Sequence, residues 1–289
     1  MAAEAAYERP ESLGGALALL ARGGWSPLAG GTDLYPATNQ RVLNGRILDI
    51  SAVEDLSGLT LDRDGLRIGA ATTWTAIASA TLPPALAALQ DAAREVGGRQ
   101  IQNAGTVGGN LCNASPAADG VPPLQVLEAE VELASARGTR RLPLADFVTG
   151  PRRTALEPDE LLVAVHLPRP ALMGRSRFLK LGARKYLVIS IASVAARLLE
   201  REGHVALARI AVGACSPVAR RLPAVEAALE GAPLAEAVGR ILARDVAAAL
   251  APIDDVRATA AYRLEAATEL VRRAVTELAG DGLEGGGHG

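Results

Sequence analysis

The residues best suited to chemistry in this chain sit in the stretch 99–127, RQIQNAGTVGGNLCNASPAADGVPPLQVL. Its centre is Thr106-Val107-Gly108-Gly109-Asn110. Glycine tolerates positive φ, so a Gly-Gly pair can turn successive backbone N–H groups toward one point. Such a concave nest binds anionic oxygens. Asn110 and Asn113 can add side-chain hydrogen bonds. The Ser-Pro-Ala-Ala-Asp-Gly-Val-Pro-Pro segment that follows presents Asp119 on a stiff turn. A plain turn competes with this reading: the chain has 30 glycines, and Gly-Gly recurs at 14–15, 23–24 and 97–98.

A second stretch strengthens the anion reading. Leu28-Ala29-Gly30-Gly31-Thr32-Asp33-Leu34-Tyr35-Pro36 again joins two glycines to a hydroxyl and a polar residue between apolar flanks. Two such loops could clamp the two phosphates of one dinucleotide. Neither matches G-x-G-x-x-G with a following helix and distant acid, which disfavours a Rossmann site. Neither matches G-x-x-x-x-G-K-[ST], so the triphosphate P-loop is absent from both.

These loops need a scaffold, and 289 residues suffice for two domains. Hydrophobic residues at 49% and charged residues at 21% place the chain among globular proteins. A net charge of −2 gives no footprint for nucleic acid or an anionic membrane. No apolar run reaches the roughly 20 residues that span a bilayer. MAAEAAYERPESL has no signal-peptide pattern, so a cytoplasmic location is expected. Residues 11–23 read as a helix, and 46–51 as a strand. Residues 59–71 form a hairpin about Asp64-Gly65. Helices are expected at 75–80 and 84–96, a hairpin around Arg137-Gly138, and a strand over 160–167. Beyond Pro168 come three strands (176–181, 189–200, 205–214), helices at 223–229 and 234–250, and a long helix over 259–279. In that helix Tyr262, Ala266, Leu270, Val271, Ala274 and Leu278 recur at helical spacing. GDGLEGGGHG reads as a disordered tail.

AGGTDL and TVGGNLCNASPAAD resemble the two flavin-binding signatures of the FAD subunit of molybdenum hydroxylases, the group of carbon monoxide dehydrogenase and xanthine dehydrogenase. The resemblance continues through RFLKLGARKYLVISIASVAARL (177–198), AVGACSPVARRLPAVEAALEG (211–231) and PIDDVRATAAYRLEAATELVRRAV (252–275), and so covers nearly the whole chain. It implies an α+β fold: a two-lobed FAD-binding domain of the vanillyl-alcohol-oxidase (PCMH) type over residues 1–170, and a C-terminal domain of three strands plus helices over 175–280. Residues 281–289 form the tail. It implies non-covalent FAD, held by Leu28, Ala29, Gly30, Gly31, Thr32, Asp33, Leu34 and Tyr35 and by Thr106, Val107, Gly108, Gly109 and Asn110. Asp119 matches a flavin-contacting acid, Leu162 a residue lining the flavin through its backbone, and Lys180 a basic residue near the ring. Tyr186 is a candidate cover for a ring face, with a plain core tyrosine as the competing role.

The resemblance further implies an electron-transfer subunit. Electrons would come from [2Fe-2S] clusters of a small partner subunit, and molybdopterin would sit on a large one, in a dimer of heterotrimers. Metal sites are not expected in this chain. His166, His204 and His288 are scattered, and Cys112 and Cys215 lack ligand spacing. One branch of the family inserts an iron–sulfur segment after its GGNLC-type motif; here Cys112 runs straight into NASPAAD. No Ser-His-Asp or Cys-His pattern and no catalytic side chain stand out. Two other readings remain open: a stand-alone flavin-dependent oxidase or reductase with substrate bound at the flavin, and a scaffold that has lost FAD. The acceptor, whether NAD, a quinone or oxygen, is not written in the chain.

Overall fold

The computed structural model describes residues 5–38 and 45–284. Three main sheets follow one another along the chain, with a two-stranded ribbon beside the second. The first is small and parallel. It comprises β1 (Ala6–Glu8), the capped helix α1 (Leu13–Leu20), β2 (Trp25–Leu28), the short α2 (Leu34–Ala37) and β3 (Arg46–Asp49), with strand order β1-β3-β2. Ser12 starts α1 by accepting from the Gly15 N–H, the usual remedy for an orphan helix donor. Ala16, Leu20, Trp25 and Leu48 bury one face. The first glycine loop leaves the carboxyl end of β2, the end of a parallel strand where ligands gather in α/β sheets.

The second sheet is antiparallel and five-stranded, in the order β4-β5-β10-β6-β7. It opens with β4 (Leu59–Leu61) and β5 (Gly65–Gly69). Their hairpin is closed by the Asp62 carboxylate, which accepts from the N–H groups of Asp64 and Gly65. Between β5 and β6 run five helices: α3 (Trp74–Ser79), α4 (Ala87–Glu95), α5 (Arg99–Ala104), α6 (Val107–Asn113) and α7 (Val121–Val126). The chain continues through β6 (Glu130–Ser135), β7 (Gly138–Pro143), α8 (Leu144–Phe147), the two-stranded ribbon β8 (Val148–Gly150) with β9 (Arg153–Thr154), and β10 (Leu161–Pro168). The last of these inserts between β5 and β6. Trp74, Leu89, Leu111, Leu124, Phe147 and Val165 pack the helices on the sheet. Each such side chain contributes about 1.5–3 kcal/mol on burial.

The third block holds β11 (Arg175–Leu181), β12 (Ala192–Arg201), β13 (His204–Gly213) and β14 (Arg220–Arg221), then α9 (Pro223–Leu229), α10 (Ala243–Ala247) and α11 (Ala260–Glu284). Three long strands are those expected; the two-residue β14 adds an edge. The β12–β13 hairpin turns at Glu202-Gly203, both at positive φ (52° and 74°). The single helix expected over 234–250 is broken into a 3-10 turn, Leu234–Arg240, and α10, with Ile241 and Leu242 in extended conformation between. On α11 the buried stripe is Ala267, Leu270, Val271, Ala274, Val275 and Leu278, while Tyr262 is 47% exposed and stands off it. The helix runs on through Glu284, four residues into the expected tail; residues 285–289, with His288, lie outside the described residues. Halves meet through Ser176 Oγ on Ala85 O (2.7 Å), Gln125 Nε2 on Ala219 O (3.0 Å) and Arg197 Nη2 on Glu128 Oε2 (3.1 Å).

Candidate functional site

The two glycine loops do face one another, but they are built differently. In the first, the N–H groups of Ala29, Gly30, Gly31, Thr32 and Asp33 have no hydrogen-bond partner among the described residues. Gly31 sits at φ +69°. Gly30 is required for another reason: a Cβ there would lie 1.7 Å from Ala104 O. Only a hydrogen at that position lets the first loop touch the backbone at the end of α5.

The second stretch is a helix start rather than a loop of left-handed glycines. Neither Gly108 nor Gly109 has positive φ; both lie in the first turn of α6. Thr106 caps it, accepting from the Gly109 N–H at 3.1 Å. The Val107 N–H donates to Thr72 O (3.0 Å), Gly108 to Ala70 O (2.8 Å) and Asn110 to Thr106 O (3.0 Å). The expected nest of N–H groups at 106–110 is therefore corrected: the donors of Val107, Gly108, Gly109 and Asn110 are already spent inside the protein. Gly108 is small because a Cβ would stand 2.7 Å from Ala70 O, whereas a Cβ on Gly109 would meet only Thr106 Oγ1, at 3.0 Å.

Between the loops lies a cleft of about 510 Å³. Leu28, Ala29, Gly30, Gly31, Thr32, Asp33 and Leu34 form one wall, and Thr106, Gly109 and Asn110 the other. Trp74, Val96, Ile101, Cys112 and Asn113 also line it. Val96 and Ile101 could not be found from sequence, because an aliphatic residue beside a glycine pair looks like any core position. Among the lining residues there is no lysine, arginine or histidine. Asp33 is the one charged side chain of the lining and is held by Asn113, so a phosphate brought into the cleft would rely on the N–H dipoles of the first loop. Asn113 bridges the walls, donating to Asp33 Oδ1 at 2.7 Å while its own carbonyl accepts from Arg152 at 3.3 Å. The buried Asn110 Oδ1 has no partner among the described residues, leaving an acceptor for a hydroxyl or amide of a ligand.

Six of the expected site residues stand off the cleft lining. Val107 and Gly108 are buried behind it. The Tyr35 ring covers the Gly31 side of the loop and is 56% exposed. Leu162 lies in the core of the second block, 4% exposed, beside the irregularity where β10 leaves register with β6. Asp119 and Lys180 are paired with each other, Nζ to Oδ2 at 2.6 Å, both largely buried. The other Asp119 oxygen accepts from Ser190 at 2.6 Å, and Lys180 also donates to Glu95 O at 3.2 Å. Burial pushes the Asp119 carboxyl pKa up, against the pull of Lys180 and Ser190. Tyr186 is 59% exposed, which removes the core reading of that ring.

Residues 3–170 match the family model for the FAD binding domain in molybdopterin dehydrogenase, and 177–278 that for the CO dehydrogenase flavoprotein C-terminal domain. This chain belongs to the family of FAD-binding subunits of molybdenum hydroxylases. It is 35% identical over 282 residues to the putative xanthine dehydrogenase FAD-binding subunit XdhB of Escherichia coli (strain K12), covering 94% of this chain and 95% of that one. To the carbon monoxide dehydrogenase medium chain of Afipia carboxidovorans it is 34% identical, over 93% and 94% of the two chains. Among solved structures, a chain of carbon monoxide dehydrogenase from Hydrogenophaga pseudoflava superposes with a TM-score of 0.86 at 30% identity, covering 96% of this chain and 97% of that one. A chain of quinoline 2-oxidoreductase from Pseudomonas putida 86 gives 0.86 at 26%, covering 97% and 99%. The α+β architecture, the FAD-binding domain and the assignment to an oxidoreductase subunit follow from this membership. Among the described residues no helix is long and apolar enough to cross a membrane, and no group of three or more His, Cys, Asp and Glu could hold a metal.

Proposed function

We propose that this chain holds FAD non-covalently in the cleft and serves as the electron-transfer subunit of a molybdenum hydroxylase. The carrying observation is the row of five N–H groups at 29–33 that have no partner among the described residues, facing a wall that adds no cationic side chain. A pyrophosphate fits such a row, which neutralises charge by dipoles alone. Thr32, Asp33, Asn110 and Asn113 would give polar contacts, and Leu28, Trp74, Val96 and Ile101 apolar ones. Bound FAD supplies redox chemistry; the chain supplies position, electrostatics and exclusion of water. Electrons would arrive from [2Fe-2S] clusters on a small subunit, after substrate oxidation at molybdopterin on a large one. They would leave to an external acceptor, within a cytoplasmic dimer of heterotrimers. In this reading residues 1–170 carry the cofactor and 175–280 complete the unit. Asp119 and Lys180 act by fixing the chain on either side of 182–189 rather than from the cleft wall.

A stand-alone oxidase needs an acid or base in the cleft. Its lining offers only Asp33, already bonded to Asn113, and Cys112. The test is the visible spectrum of the purified chain before and after FAD is added, with the flavin identified after denaturation, followed by turnover assays of the isolated chain. Flavin released intact, with no turnover until cluster-bearing and molybdenum-bearing subunits are added, is the expected result. A chain that refuses FAD overturns the reading. Substrate oxidation by the isolated chain would favour the stand-alone oxidase.

A further inference from the structure

A second cavity, of about 350 Å³, opens at the seam between the halves, just beyond the cleft residue Asn113 along the chain. No residue lines both spaces. Pro116, Ala117 and Pro151 wall it from the first half, and Ala214, Pro217 and Ile253 from the second. The Ala214 N–H donates to Pro116 O at 3.0 Å and so fastens the two walls. Seams between domains are favoured places for small-molecule sites, and the volume falls at the small end of their usual range.

The polar lining is one-sided. Arg152, Arg257 and Arg263 contribute three positive charges against the single negative charge of Asp255, a formal balance of +2. Asp255 is already spent: it accepts from Arg263 (2.7 Å), from Arg257 Nη1 (2.9 Å) and from the backbone N–H of Arg257 (2.8 Å). The Ser190 hydroxyl donates to Asp119, and Ser216 to Cys215 O. Arg263, only 3% exposed, gives Nη1 to Ile191 O and Ala214 O, but its buried Nε has no partner among the described residues. A buried donor without an acceptor costs about 1–3 kcal/mol unless something satisfies it. Apolar walls, surplus guanidinium donors and no free carboxylate describe a receptor for a molecule that is apolar in body and anionic at one end. We propose that the seam cavity binds a small organic carboxylate with a one- or two-ring apolar body, separately from FAD.

This goes beyond the flavin reading and does not depend on it. Calorimetry on the full-length chain, as purified and again after saturation with FAD, would use 2-naphthoate as probe and neutral 2-naphthamide as its control. Expected is saturable naphthoate binding unaffected by FAD, with the amide at least tenfold weaker. Arg257→Ala should weaken naphthoate about tenfold or more, as loss of a charge-assisted hydrogen bond does, and leave FAD affinity unchanged. Ala117→Leu, which narrows the cavity and removes no charge, should also block naphthoate, so a misfolded arginine variant cannot decide the matter. Absence of saturable binding, equal affinity for acid and amide, affinity untouched by both variants, or displacement by FAD would each overturn the proposal.

Discussion

At the scale of single residues, three glycines in the two signatures do different work, and their substitutions should separate. Gly30→Ala puts a methyl 1.7 Å from Ala104 O, so the first loop must move off α5. Titration with FAD should show affinity reduced at least tenfold, about 1.4 kcal/mol, while the melting of the third block stays as in the parent. Gly109→Val meets only the Thr106 hydroxyl and projects toward the cleft, so flavin binding should fall with little change in thermal midpoint. Gly108→Ala meets Ala70 backbone and should cost stability first. If Gly109→Val retains full FAD occupancy, α6 is not a wall of the flavin site. In the first loop the positive φ expected of a glycine pair is present at Gly31, and the N–H groups of 29–33 have no partner among the described residues, as an anion-binding turn requires. The second was misread because glycine serves close helix packing as well as positive φ, and sequence does not say which.

At the scale of elements, hairpins were legible wherever turn chemistry sat between alternating runs, as at Asp64-Gly65 and Glu202-Gly203. Helices α5 and α6 were not, since they are only six and seven residues long and their Asn and Gly residues give little helical preference. They are held by packing of α5 on α3 and of α6 on β9 and β10, and by the Val107 and Gly108 N–H groups on Thr72 O and Ala70 O, which local sequence does not carry. The segment 182–189 between β11 and β12 illustrates what a buried acid contributes to an element. Asp119 grips Lys180 before it and Ser190 after it, and the Ile191 N–H closes its base on Leu181 O at 2.8 Å. Leu187 rests on Gly98, next to the cleft residues Val96 and Ile101. Asp119→Asn keeps the shape but gives up the ion pair. Amide exchange across 182–191 should quicken about tenfold, a local opening eased by roughly 1.4 kcal/mol, with helix α11 unaffected. Unchanged exchange would show that Asp119 does not hold this segment.

At the scale of the molecule, the spatial order of elements was the least legible feature: β10 enters the second sheet nearly a hundred residues after its neighbour β5, by pairings no local pattern announces. The seam between halves depends on Glu128, at φ +54°, reaching both Arg197 and Arg209. Burial lowers the Arg197 pKa and Glu128 opposes that. Glu128→Ala strands a guanidinium that is 1% exposed, though Pro170 O still accepts from it. Urea unfolding should register a loss of about 2 kcal/mol, below that of a fully enclosed pair because Glu128 itself is 38% exposed.

Acid should act on all three blocks together, since each carries one carboxylate held below its ordinary range. In the first, burial raises the Asp49 pKa, but hydrogen bonds from Tyr7 and Ser51 outweigh it. In the second, Arg140 grips Glu160 through two 2.7 Å bonds and lowers it. In the third, the Arg257 backbone N–H, with Arg257 and Arg263 side chains, brings Asp255 to about 2. A carboxylate depressed in the folded state stabilises it above the unfolded pKa of about 4, and that contribution is lost as pH falls through the folded value. Asp119 runs the other way: its raised pKa means protonation is favoured in the folded state, so it adds nothing to acid lability. The thermal midpoint should therefore hold steady above about pH 5 and fall steeply from about pH 4 toward pH 2. Glu160→Gln, which cannot ionise, should start lower at neutral pH and fall less steeply. A variant curve parallel to the parent's would mean that the Arg140–Glu160 pair is not among the groups setting acid stability.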